Sequence, residues 1–138
     1  MIDSITTSTE VRTSSRTTWL WRVAFVVACG IHLYGVYSPH QAASNVHFPL
    51  SDKLAHLFLF GSVAYFGLRS GVPARYLLPV VAANAVISEI VQYYWLPFRS
   101  GDPFDSVADL CGLALGAWLG FRAIRTQKRL PRKVPSTT

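Results

Sequence analysis

The sequence predicts an all-α membrane protein, a polytopic bundle of four transmembrane helices with both termini in the cytoplasm. Three observations carry this. Of the 138 residues 51% are hydrophobic and only 14% charged, a balance that belongs to membrane proteins rather than soluble domains. The apolar residues gather into four runs separated by short Pro-, Gly- and charge-bearing connectors. Nearly all Lys and Arg fall on one side of the bundle that those runs would build. A chain of this length makes one domain.

Residues 1–18 are rich in Ser and Thr and read as a flexible tail. Residues 19–37 carry one charge, Arg22, near their start, and are long enough to cross a bilayer. Ala42-Ala43-Ser44 resembles a signal-peptidase site, but the long polar leader and the Trp, Tyr and His within the run favour a retained helix. Residues 38–51 form a loop holding Pro39, His40, His47 and Pro49. The second helix, 53–68, is short; Ser51 or Asp52 can cap it, and Gly71 and Pro73 stop it. The third, 76–96, has Pro79 in its first turn, where proline is tolerated, and Pro97 at its close. In the connector Arg99-Ser100-Gly101-Asp102-Pro103, Asp102 is placed to be an N-cap and Pro103 the first helical residue. The fourth helix, 104–121, completes a transmembrane domain over 19–121, and 122–138 is a basic tail.

A net charge of +6 would fit a nucleic-acid binder. However, six of the thirteen basic residues lie between Arg122 and Lys133, directly after an apolar helix, where they face anionic lipid head groups. Membrane lipids are therefore the expected partners, and nucleic acid is not. With four spans, both tails and the 69–75 connector share one side and hold eleven Lys and Arg, against only Lys53 and Arg99 on the other. The positive-inside rule puts that basic side in the cytoplasm and the chain in the cell (inner) membrane. Cys29 and Cys111 sit inside apolar runs without metal-ligand spacing and read as packing residues.

This topology brings three helix ends to the outer face. At a rise of about 1.5 Å per residue, His56 lies some 6 Å below Asp52, Gln92 and Glu89 some 7 and 12 Å below Pro97, and Asp105 and Asp109 some 3 and 9 Å below Pro103. Lys53 and Arg99 sit at the rim. Residues four apart share a helix face, which aligns Asp52 with His56 and Asp105 with Asp109. Asp109 leads on to Gly112, Gly116 and Gly120, a small-residue ridge that admits a second helix closely and offers a route to a homo-oligomer. Asn84, Ser88 and Gln92 form a polar stripe on the third helix beside Glu89, expected to meet the aspartates.

Three blocks in this region, Asp52-Lys53-Leu54-Ala55-His56-Leu57-Phe58, Ser88-Glu89-Ile90-Val91-Gln92 and the stretch from Arg99 to Gly112, RSGDPFDSVADLCG, resemble in order and spacing the signatures of VanZ-like membrane proteins. The resemblance spans roughly residues 50–120. It implies a small multi-span protein of the bacterial envelope, in a family whose founding member is associated with resistance to the glycopeptide teicoplanin.

Ionisable residues inside a membrane are costly and mark sites or polar networks. His56, Glu89, Asp105 and Asp109 are the candidate catalytic groups. Asp52, Lys53, Gln92, Arg99 and Asp102 are the candidate binding groups. A divalent metal held by His56 and the carboxylates would fit oxygen and nitrogen ligand chemistry, but the spacing matches no established metal motif, so no metal ligand is assigned, and no cofactor is identified. His32, His40 and His47 receive no role. An enzyme would use Lys53 and Arg99 to hold an anionic head group, Glu89 or an aspartate as base, and His56 as acid. A binding protein would hold an envelope lipid or peptidoglycan precursor without turning it over. A structural or permeability-modifying protein would use the same groups only to join helices, at about 0.6 kcal/mol per contact.

Overall fold

The computed structural model describes residues 3–38, 51–96 and 102–129, with side chains from residue 16 onward. The protein is all-α, with helices α1 (Asp3–Tyr37), α2 (Ser51–Arg69), α3 (Ala74–Trp95) and α4 (Pro103–Arg129). Three segments are long and apolar enough to cross a membrane: Arg16–Tyr37 within α1, Ala74–Trp95 and Pro103–Arg129. The shorter α2 is not among them; Ser51, Asp52, Lys53 and His56 fill its first two turns with polar groups. His40, His47 and Arg99 lie outside the described residues.

Several boundaries depart from the sequence reading. α1 extends back to Asp3 through the segment read as a tail, with no Gly or Pro to interrupt it before Gly30. α4 runs on to Arg129, well into the segment read as a basic tail and short of Pro131. α3 starts at Ala74, behind Pro73 in an extended conformation (φ −62°, ψ 127°). Pro79 consequently falls in the second turn of α3 and offers no amide to the Arg75 carbonyl. α2 stops as its sequence predicts. Gly71 takes φ +93°, the Val72 amide bonds the Gly67 carbonyl (3.1 Å), and the Gly71 amide bonds the Leu68 carbonyl (3.2 Å). This is a Schellman close, and its left-handed residue favours glycine.

The centre of the fold is the contact between α2 and α4, the most extensive of any helix pair. The two helices run parallel: Lys53 meets Asp105, His56 meets Asp109, and Leu68 meets Gly120. Between these points the backbones touch. A methyl group at Gly112 would collide with the Leu57 carbonyl, and one at Gly116 with the Gly61 carbonyl. The glycine ridge is therefore covered by α2 of the same chain, which leaves any self-association to other faces. α2 also touches α1 and α3, whereas α1 and α4 do not meet among the described residues.

Phe60, Val63, Ala64 and Leu68 of α2 pack with Leu113 and Ala117 of α4, Leu77, Val81 and Ala85 of α3, and Ala28 and Val36 of α1. The opposite faces of the spans present Val26, Ile31, Val80, Val86, Leu115 and Trp118 outward. Such apolar outer faces suit contact with lipid.

Gly116→Val should destabilise the protein by about 1–3 kcal/mol or more, because the backbone contact leaves no room to relax. Gly30→Ala, with nothing within 4 Å of the added carbon, should be neutral or stabilising by up to about 1 kcal/mol. Unfolding of the detergent-solubilised chain compares the two, and equal losses would overturn the assignment of the ridge.

Candidate functional site

The start of α2, the end of α3 and the start of α4 meet at one end of the bundle. The site begins with the α4 cap. Asp102 accepts the Phe104 amide on Oδ1 (3.0 Å), and Pro103 is the first helical residue. The Phe104 amide first, and then the Lys53 ammonium, hold the Asp102 carboxyl below the usual carboxylate range.

Lys53 donates to Asp102 Oδ2 and to Asp105 Oδ1, each at 2.9 Å, and its ammonium lies 5.8 Å from the Phe104 ring centre. Two of its three N–H donors are thus engaged by carboxylates of α4. Lys53 is a clamp between helices rather than a cation held open for an anion. Asp105 is likewise a clamp partner, nearly buried at 3% exposure.

One turn further in, His56 Nδ1 and Asp109 Oδ1 are 2.9 Å apart. Both residues are buried, Asp109 completely. The carboxylate orients the imidazole, and when Nδ1 carries the shared proton Nε2 is left as a base or ligand. Glu89 comes down from α3 and accepts the Asp102 amide on Oε2 (3.0 Å), so it also ties the end of α3 to the start of α4. Glu89 Oε1 and Asp109 Oδ2 are buried without a hydrogen-bond partner among the described residues.

One donor atom each from His56, Glu89 and Asp109 lie within 4.8 Å of one another, and the same holds for Asp52, His56 and Asp105. Seven of the nine residues singled out from sequence therefore stand together: Asp52, Lys53, His56, Glu89, Asp102, Asp105 and Asp109. Gln92 does not join them. Its amide donates to the Val36 carbonyl of α1 (3.1 Å). Arg99 lies outside the described residues.

The polar stripe of α3 turns mostly to α1. The Tyr37 hydroxyl donates to Asn84 Oδ1 (2.7 Å), and Asn84 Nδ2 lies 2.9 Å from His32 Nε2. The His32 ring stands edge-on to Phe60 at 4.5 Å. Sequence reasoning missed His32 and Tyr37. Their signal was the isolation of polar groups within an apolar run, on a helix that runs parallel to α3 and carries them toward Asn84.

Chemically, the site joins an imidazole, five carboxyl groups at or near it and one neutralised lysine. It can relay a proton, hold a cation, or hydrogen-bond a polar head group; its fixed charge does not favour a bare anion. No protein-family model matches the chain, and neither the curated proteins nor the solved structures give a match.

The depressed Asp102 carboxyl sets a pH dependence. A group whose folded value lies below its unfolded one, ordinarily about 3.9 for Asp, stabilises above that value and loses the contribution as pH falls through the folded one. Asp102→Asn should lower the thermal midpoint at pH 7, with the gap to wild type closing as the medium is acidified below about pH 4. A gap that stays constant with pH would show the charge to be irrelevant.

Proposed function

We propose that the chain is a VanZ-like, multi-pass protein of the cell membrane, with four spans and both termini in the cytoplasm. Its polar end faces outward and acts on or binds the polar head of an envelope component, a lipid or a peptidoglycan precursor. The observation that carries this reading is the buried His56–Asp109 pair at 2.9 Å with Glu89 beside it. Such groups are expensive near a bilayer and mark sites by default. His56 serves as the proton-handling group, Asp109 orients it, and Glu89 is the second acid–base or ligand. Lys53 is engaged by Asp102 and Asp105; Arg99, outside the described residues, stays the sequence's other candidate for an anionic head group.

Two features support α2 as the fourth span. It touches each of the other helices, so its polar face can meet protein instead of lipid. It also runs parallel to α4, as expected when α3 crosses back between them. The eleven basic residues gathered on one side by this arrangement support cytoplasmic termini.

A second reading has its own observation. The Lys53 clamp and the Glu89–Asp102 bond join helix ends as a scaffold would, and a non-catalytic structural or permeability-modifying protein needs nothing more.

Conservative variants separate the two. Under the site reading, His56→Gln, Glu89→Gln and Asp109→Asn keep wild-type membrane abundance but fail to complement a deletion strain, scored as susceptibility to teicoplanin and other envelope antibiotics. Lost abundance, or unchanged susceptibility in all three, would favour scaffolding. For topology, in a chain with Cys29 and Cys111 replaced, a cysteine at Ser44 should react with an impermeant maleimide in intact cells, and one at Val72 only after lysis. Equal labelling of the two would overturn the four-span arrangement.

A further inference from the structure

We infer that His56, Glu89 and Asp109 form a binding site for a divalent transition cation of the zinc or manganese class. The inference deepens the reading of the polar end as a functional site and rests on it. Convergence comes first. One imidazole nitrogen and two carboxylate oxygens, delivered by three different helices, lie within 4.8 Å of one another. Ligands around a zinc-sized ion sit at about 2.0–2.2 Å from the metal and so about 3–3.5 Å apart. The three donor atoms would have to draw together by up to about 1–2 Å to reach that spacing.

The second observation is independent of the clustering. Glu89 and Asp109 are more than nine-tenths buried, and each keeps one oxygen, Oε1 and Oδ2, with no hydrogen-bond partner among the described residues. A buried carboxylate oxygen without a donor is costly. Among the described residues, donors nearby are directed to other oxygens. The Asp102 amide goes to Glu89 Oε2, His56 Nδ1 to Asp109 Oδ1, and the Lys53 ammonium to Asp102 and Asp105. A dication would supply a partner to both orphaned oxygens and cancel the charge of the two carboxylates.

The donor set selects the class. A nitrogen ligand favours zinc or manganese over calcium, which prefers all-oxygen shells. Three protein ligands leave a coordination position open, the arrangement of catalytic rather than structural metal sites. Asp105 would stand outside as a supporting carboxylate, already held by Lys53. The overlapping trio of Asp52, His56 and Asp105 is the weaker alternative, because Asp52 is exposed and Asp105 is already paired.

The experiment uses the full chain purified in detergent, stripped with chelator, and titrated with Zn2+ or Mn2+ by calorimetry, with bound metal counted by mass spectrometry. One ion per chain is expected, with a thermal midpoint that rises on metal addition. Glu89→Gln and Asp109→Asn should each weaken binding at least tenfold, and replacement of Cys29 and Cys111 by alanine should leave it unchanged. His56→Asn provides a third ligand variant should either carboxylate variant fail to fold.

Absence of saturable binding to folded wild-type protein overturns the metal site, as does affinity that survives in the ligand variants or disappears with the cysteines. The functional reading stands or falls separately. Loss of the envelope phenotype in His56→Gln without any metal bound would sink this inference alone. Metal bound with the phenotype intact in all ligand variants would sink the functional reading alone.

Discussion

The backbone contact between α2 and α4 is the constraint from which the rest of the structure follows. Gly112 and Gly116 let α4 lie against the carbonyls of Leu57 and Gly61, with no side chain between them. In lipid, association of helices depends on such close packing because no hydrophobic drive remains to bring them together. Once the two axes are that close, short side chains one turn away can reach each other. His56 and Asp109 are at hydrogen-bond distance for this reason, and Lys53 can reach two carboxylates of α4 at once.

α3 joins this pair through polar contacts as well as through Leu77, Val81 and Ala85 in the apolar core. Glu89 holds the amide of Asp102, Ser106 donates to the Ala85 carbonyl (3.2 Å), and Asn84 and Gln92 tie the other flank to α1. The apolar outer surface of α3, with Val80, Val86 and Ile90 exposed, is left for lipid. The bundle thus separates two kinds of cohesion: glycine-mediated packing between parallel helices, and hydrogen bonds that hold the antiparallel one in place.

Much of this was legible in the sequence. Long apolar runs bounded by Gly71, Pro73 and Asp102-Pro103 mark the helices, and short connectors dictate which ends share a layer, so His56, Glu89, Asp105 and Asp109 group together from the sequence alone. The choice of partner could not be read. Gln92 and Glu89 are three residues apart on α3, yet one faces α1 and the other α4, because the stripe lies between two polar neighbours and a helical pattern gives no absolute azimuth. Lys53 illustrates a second limit. A cation at a rim looks available until the carboxylates of another helix are placed beside it. The ends of α1 and α4 were misjudged for a third reason: Ser, Thr and basic residues suit a solvated helix as well as a tail when no Gly or Pro interrupts them.

The spacing of the glycines carries one more consequence. Gly112, Gly116 and Gly120 repeat every four residues, about one helical turn, so the ridge is a vernier with more than one notch. A slide of α4 by a single turn would seat Gly116 over Leu57 and Gly120 over Gly61, restoring nearly the same steric fit. What would not survive is the lettering at the end of the scale: His56 would face Leu113, and Lys53 would face Asp109. Packing alone leaves the helices free to choose between notches, and the charged residues name the right one. Ionic pairs are best attested in this role, as keys to register. The same side chains that make the polar end chemically capable therefore also tell the two sliding helices where to stop.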